Sequence, residues 1–306
     1  MTAVETRPQI GTSFEGSLAQ CISMWESKIG RRPEILRVFS PGFVRDPTPI
    51  LKPILDAGIT PWWSTKWSPY PATDYPILAG HLHKLGKPVI VSAQHEPEND
   101  GGSMTPERFT FRSGEFFDAI RRASNAVIGE ILMRESFHNG AAARWLVNNG
   151  KRHFIGVDGY NPRGPAGMTY EQLAAPVLAW AKRNGDVPIF WGEISTQGTD
   201  KEREAWMCLA HAHDQSPDYS QVRVFCHYHS AGGERAGDAP SWHLDQSRAG
   251  KGLDVAGSWH LESKPSDPGG PRVFAVGALT EDKLTPAVYA DAMRRVKPRP
   301  LTGPLV

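Results

Sequence analysis

TYEQLAAPVLAWAKRNGDVPIFWGEIS, residues 169–195, joins two patterns in one stretch. In its first half Leu173, Ala174, Val177, Leu178 and Ala181 fall on one stripe at helical spacing, and Gly185 stands where a helix closes through a left-handed residue. Its second half, PIFWGEIS (188–195), is apolar nearly throughout instead of alternating, which is how a strand covered on both faces reads. A helix feeding a doubly covered strand is the repeating unit of a parallel α/β sheet.

The same kind of strand recurs along the chain as QIGTSF (9–14), ILRVFS (35–40), ITPWWS (59–64), PVIVSA (88–93), AVIGEILM (126–133), HFIGVDGY (153–160) and VRVFCHYH (222–229). With 188–195 that makes eight, starting 24 to 38 residues apart. Helical periodicity fills the intervals, for example in SLAQCISMWESKIG, TFRSGEFFDAIRRA and DKEREAWMCLAHAHD, and TPAVYADAMRRV (285–296) closes the series. Eight alternations predict a (β/α)8 TIM barrel, one domain over residues 1–306. The Gly- and Pro-rich residues 230–283, with SWHL occurring twice, are expected to form an extended loop over the barrel mouth.

Composition narrows the function classes. Hydrophobic residues are 40%, charged residues 22% and the net charge is +1, without the basic excess that nucleic-acid binding needs. Neither a leader peptide nor a membrane span is expected from MTAVETRPQIGTSFEG or from any later window. Cys21, Cys208 and Cys226 form no CxxC pair and read as reduced, packed thiols. GxSxG and GxxxxGK[ST] are absent, so neither a nucleophile elbow nor a phosphate loop is expected, and no cofactor is implied.

In a barrel the carboxyl ends of all strands meet at one face, where catalytic groups sit. The polar residues then sort by strand: His95-Glu96-Pro97 after the fourth, Asp158-Gly159-Tyr160-Asn161 on the sixth, Trp191-Gly192-Glu193 on the seventh, His227-Tyr228-His229 on the eighth. Glu96 and Glu193, 97 residues apart, would share the mouth. Two carboxyls in one cleft suit glycosidic bond cleavage: one protonated to give its proton to the leaving oxygen, the other ionised to attack or stabilise the sugar carbon. Arg37, on the second strand, is the candidate cation for the ionised one, or else an ion-pair residue lower in the barrel.

The Glu-Pro after strand four, the Gly-Glu of strand seven, the Arg of Leu-Arg-Val on strand two and the Tyr of strand six resemble the retaining glycoside hydrolases of the (β/α)8 clan of cellulases and β-mannanases. His95 directly before Glu96 is most similar to the family 26 mannanases and related proteins of actinobacteria and their phages. The resemblance implies Glu96 as acid/base, Glu193 as nucleophile, His95 as the partner that positions the acid or the sugar, Tyr160 as a hydrogen-bond donor to the nucleophile, and Arg37 as the group holding Glu193 ionised. The chain departs from the mannanases after the acid, where Glu98-Asn99-Asp100-Gly101-Gly102 replaces an aromatic-rich segment.

Other residues are expected near the sugar. Trp62, Trp63, Trp67, Tyr70 and Tyr75 cluster after strand three, some to stack on sugar rings and some to pack under the next helix, with Trp63 and Trp67 as the candidate platforms. Trp191, two residues before Glu193, shares the inward face of a regular strand and would lie beneath the reactive sugar. Glu98 is a rival for the acid role, a sugar ligand or a solvated neighbour; Asp158 either binds sugar or braces the strand six loop. His227 is read as a sugar ligand, with a zinc site alongside His229 and Asp158 or His95 as the competing assignment; the pairs His81/His83 and His211/His213 diverge on helices and chelate poorly.

The expected protein is thus a retaining glycosidase acting on a polysaccharide, such as a cell-wall or surface glycan, with no nucleic-acid or membrane partner. The alternative is a non-catalytic carbohydrate-binding module or phage tail component on the same scaffold, with other virion tail proteins as partners. A tail protein reaches an outer cell surface without a leader peptide, which reconciles the two.

Overall fold

The structure, a computed structural model, describes residues 9–13, 18–19, 22–23, 32–40, 42–67, 72–100, 104–146, 151–162, 167–197, 206, 209–210, 213, 217–228 and 272–273. Seven strands, β2 (Ile35–Phe39), β3 (Thr60–Thr65), β4 (Val89–Ala93), β5 (Ala126–Met133), β6 (Phe154–Asn161), β7 (Ile189–Thr196) and β8 (Val222–Tyr228), pair in sequence order as one curled parallel sheet. β1 (Gln9–Ser13) pairs in parallel with β8 on one side and with the start of β2 on the other. The expected strand boundaries hold to within one residue. Of residues 230–283 only β9 (Arg272–Val273) is described, pairing antiparallel with Val38 and Phe39 of β2; the rest of the expected excursion, and the helix at 285–296, lie outside the described residues.

Between the strands run α1 (Thr48–Asp56), α2 (Tyr75–Lys84), α3 (Pro106–Ile120), the short α4 (Arg134–His138) and α5 (Ala142–Trp145), and α6 (Tyr170–Arg183). The opening stretch shows why these residues form this unit. Thr169 accepts the Gln172 N–H while the Gln172 side chain accepts the Thr169 N–H, a reciprocal cap on two otherwise orphaned donors. Leu173, Ala174, Val177 and Ala181 are buried on the strand-facing side, Leu178 is partly so, and Gly185 follows at φ +87.

Two apolar layers result. Leu36, Val38, Val91, Leu132, Val157 and Phe225 belong to the layer between the convex side of the sheet and the helices. On the concave side Ile35, Ile90, Val127 and Val224 surround three rings: Phe154 and Phe190 stack at 4.1 Å and 9°, and Trp62 meets both edge-on at 5.5 and 5.7 Å. Gly129 and Gly156 make this packing possible, since a Cβ would fall 2.5 Å from the Phe154 carbonyl oxygen at the first and from Ile131 at the second. Cys226 is a buried free thiol in this inner layer, as expected; Cys21 and Cys208 lie outside the described residues. Among the described residues, no helix is long and apolar enough to cross a membrane.

Candidate active site

Arg37 is the centre of the site. It is fully buried above the aromatic layer, its guanidinium carbon 5.2 Å from the Trp62 ring and 4.6 Å from that of Phe39. Both terminal nitrogens donate to Asp158, Nη1 to Oδ1 at 2.7 Å and Nη2 to Oδ2 at 3.1 Å. Nη1 also lies 3.3 Å from Oε1 of Glu193. Strand register brings the two carboxylates together, for Asp158 of β6 is directly opposite Glu193 of β7. The planar fork of Arg suits this double task, and its charge is reinforced by both carboxylates against a strong desolvation by burial.

A bulge makes that register possible. Val157 pairs with Trp191, but the next residue, Asp158, pairs with Glu193, so Gly192 is the extra residue of β7. A Cβ on Gly192 would lie 2.5 Å from Arg37 Nη1 and 2.6 Å from Asp158 Oδ1. Only glycine fits beside the ion pair.

The bulge overturns the expectation for Trp191. On a regular strand it would share a face with Glu193; with one residue inserted it points to the helices instead. It is wholly buried, donates its indole N–H to the Tyr170 hydroxyl at 2.9 Å, and fills the space over Gly159. Trp191 is therefore no sugar platform. Trp63 is corrected likewise: it alternates outward from Trp62, is completely buried, and donates to Ser40 Oγ at 2.8 Å. Trp67 packs in the same outer layer, its ring 5.2 Å from Phe109, with 8% of its surface exposed. Asp158 is wholly buried in its pair with Arg37, which removes it as a sugar contact.

Glu193 keeps 8% of its surface exposed and receives the hydroxyl of Tyr160 on Oε2. Burial raises its pKa, to about 7, while Arg37 and the Tyr160 hydrogen bond hold it down. Glu96 is raised further, to about 9, by burial and then by the charges of Asp158 and Glu193; Arg37 and an Asn99 hydrogen bond oppose this. The two carboxyls share one electrostatic environment and divide it unequally. Glu193 has the cation and the phenol, whereas Glu96 has the Asn99 amide at 3.2 Å from Oε2.

Glu96 is carried by an unusual backbone. Gln94 and Glu96 have φ of +52 and +49, left-handed values that non-glycine residues rarely adopt. The Glu96 N–H donates to the Ile131 carbonyl at 3.0 Å and that of Gln94 to Thr65 at 2.8 Å, so the loop is sewn to both neighbouring strands. His95 between them meets the Phe39 ring edge-on at 5.2 Å, and burial, with Arg37 and Lys66 nearby, pushes its pKa well down. The imidazole is neutral at ordinary pH.

Glu98 is turned to β5 and α4. Its Oε1 accepts the Met133 N–H at 2.8 Å and the Ser136 hydroxyl at 2.7 Å. The strands thus bring together Arg37, His95, Glu96, Asp158, Tyr160 and Glu193 from the expected residues, and divert Trp63, Trp67, Trp191 and Glu98. The His227 side chain, Tyr70 and His229 lie outside the described residues. Among the described residues no group of three or more His, Cys, Asp or Glu side chains is arranged to hold a metal. Sequence reasoning missed Asn99 as a partner of Glu96 and Phe39 as the ring between Arg37 and His95; the only local signal for the first was the turn-forming Pro-Glu-Asn that follows Glu96.

Comparison with known proteins agrees with this architecture. No protein-family model matches the sequence, and no curated protein is significantly similar to it. Among solved structures the chain is similar to GH26C from Muricauda sp. MAR_2010_75, with TM-score 0.55 and 14% identity over 73% of this chain and 79% of that one. It is also similar to a GH26 β-mannanase from Bacteroides ovatus, with TM-score 0.51 and 12% identity over 72% of this chain and 80% of that one. At such identities the likeness is one of fold: the chain shares its curled parallel α/β sheet with these TIM-barrel proteins.

Proposed function

We propose that the chain is a retaining glycoside hydrolase on a (β/α)8 barrel, with Glu193 as nucleophile and Glu96 as acid/base. The observation that carries this is the unequal treatment of two neighbouring carboxyls. Arg37 and Tyr160 favour the ionised form of Glu193, and burial beside Asp158 and Glu193 favours the protonated form of Glu96. The pairing of β1 with both β8 and β2 supports barrel closure.

In the first step the Glu96 proton goes to the glycosidic oxygen as the bond to the anomeric carbon breaks, and a Glu193 oxygen forms an ester to that carbon. The alcohol leaves. In the second step Glu96, now ionised, takes a proton from water while the water oxygen displaces Glu193, which restores both groups. Tyr160 and Arg37 hold one oxygen each of Glu193, orienting it for attack. Neutral His95, next to the acid in the chain, is suited to a sugar hydroxyl.

The substrate class is a polysaccharide O-glycoside. Likeness of fold to a β-mannanase supports a β-linked backbone as the first to try. The test is hydrolysis of soluble mannan, glucan, arabinan and galactan by the protein and by Glu193→Ala, with the anomer first released identified by proton NMR. Release of the retained anomer by the wild type alone is expected. Sugar binding with no turnover by any route would instead assign a carbohydrate-binding module.

A further inference from the structure

The acid is followed by two more carboxylates, Glu98 and Asp100, which the chemistry above does not use. Each is engaged by a different neighbouring element. Asp100 Oδ2 accepts the Gln94 amide at 2.5 Å, and its Oδ1 lies 3.5 Å from the Lys66 ammonium. The other end of the Gln94 side chain accepts the Trp67 N–H at 3.4 Å, so Asp100 is linked to the end of β3 through both Gln94 and Lys66. Glu98 takes two donors on one oxygen, the N–H of Met133 at the end of β5 and the hydroxyl of Ser136 in α4.

We propose that Glu98 and Asp100 are positioning residues for Glu96, Asp100 anchoring its loop to β3 and Glu98 anchoring it to β5. The proposal rests on Glu96 as the acid/base. The need for such anchors follows from the backbone. Two left-handed residues with side chains, Gln94 and Glu96, flank His95, and conformations of that kind persist only where the surroundings over-determine them. A loop free to relax would swing the acid off the leaving oxygen, and an acid must be within hydrogen-bond reach of the atom it protonates. Carboxyl groups suit the task because a single oxygen, with two lone pairs, can accept two donors at once. Asp100 divides its oxygens between an amide and an ammonium, and Glu98 closes two donors of different elements with one atom. Glu98 is thereby committed through Oε1 to β5 and α4.

Two readouts separate positioning from general damage. The first is leaving-group sensitivity, measured on 2,4-dinitrophenyl and phenyl β-mannobioside, β-cellobioside and β-laminaribioside. A dinitrophenolate departs without help from an acid, whereas phenolate needs it, so misplacing Glu96 hurts the second far more. Glu98→Ala and Asp100→Ala should lower kcat/KM, which reports the bond-breaking step alone, at least 10-fold more on the phenyl than on the dinitrophenyl glycoside. The second is NMR hydrogen exchange of the Glu96 amide, whose bond to Ile131 reports the loop directly. That amide should exchange at least 10-fold faster in both variants, while Glu98→Gln, whose carbonyl oxygen can accept the same two donors, restores both readouts. Should Glu98→Ala not fold, Ser136→Ala removes one of its two partners and should give the same pattern at smaller size. Equal losses of kcat/KM on both leaving groups, or unchanged Glu96 exchange in both alanine variants, would overturn the proposal. Faster exchange in a protein that hydrolyses neither these glycosides nor any of the four polysaccharides would uphold the anchors and refute the glycosidase.

Discussion

Trp191 and Glu193, two residues apart on β7, point to opposite faces of the sheet. The single inserted residue, Gly192, sends the indole to Tyr170 and the carboxylate to Arg37. The site therefore depends on a backbone irregularity as much as on the residues that carry charge.

Glycine at 192 should be indispensable. Gly192→Ala places a methyl group within 2.6 Å of both Arg37 and Asp158, and neither can retreat into the packed layer below. Overpacking of this kind costs about 1–3 kcal/mol. Thermal unfolding should show that loss, together with a fall in kcat from displacement of Glu193.

Trp191→Phe should do the reverse of what a sugar platform predicts. It removes the hydrogen bond to Tyr170 and part of the outer packing, a loss of about 1–3 kcal/mol in denaturant unfolding. KM on polysaccharide should stay within about 2-fold, because the ring is wholly buried. A large rise in KM with unchanged stability would restore Trp191 to the cleft.

Glu193→Ala should abolish turnover, on the order of 10⁴-fold or more, without unfolding the chain. Arg37 keeps its bidentate partner Asp158, so no buried cation is stranded. Circular dichroism and the unfolding midpoint check the second half of the claim. Arg37→Met is the contrasting case: it leaves Asp158 and Glu193 as uncompensated buried carboxylates, and destabilisation of about 3–5 kcal/mol is expected at neutral pH.

The proposed mechanism requires Glu193 ionised and Glu96 protonated. With the first raised to about 7 and the second to about 9, kcat/KM should rise through the lower value and fall through the upper, with apparent limbs that belong to the pair. Asp158→Asn removes a negative charge that raises both groups, so both limbs should move to lower pH. A profile that is flat between pH 5 and 10 would contradict the assignment.

The same shifts set the pH dependence of stability. Both carboxyls bind their protons more tightly folded than unfolded. Their contribution is full below the ordinary carboxylate range and declines as pH rises through the folded values of about 7 and 9. Glu96→Gln cannot ionise, so its unfolding midpoint should exceed that of the wild type at pH 9.5, with the advantage shrinking towards pH 5.

The strands were legible because doubly covered strands are continuous apolar runs bounded by turn residues. The helix α1 was harder to see: Pro53 interrupts TPILKPILD, and tertiary packing of Leu51, Ile54 and Leu55 carries a helix that local propensity opposes. At the site, Glu96, Glu193, Arg37 and Tyr160 were legible because their strands end at one face. Trp191 was misplaced because alternation assumes a regular ladder, and nothing but a glycine hints at a bulge. The aromatics failed for a related reason: Trp62 and Trp63 are adjacent and alternate, so one must face each layer, and neither layer is the solvent.

The stacked Phe154 and Phe190 with Trp62 across them have a further consequence. This hydrocarbon floor screens poorly, so every charge set above it is felt at longer range than it would be over water. The hydrophobic residues that stabilise the fold thereby act as the insulator of a small circuit, in which one guanidinium governs several acids at once. Changes deep in the interior, far from any sugar, can retune the chemistry without touching a single polar atom.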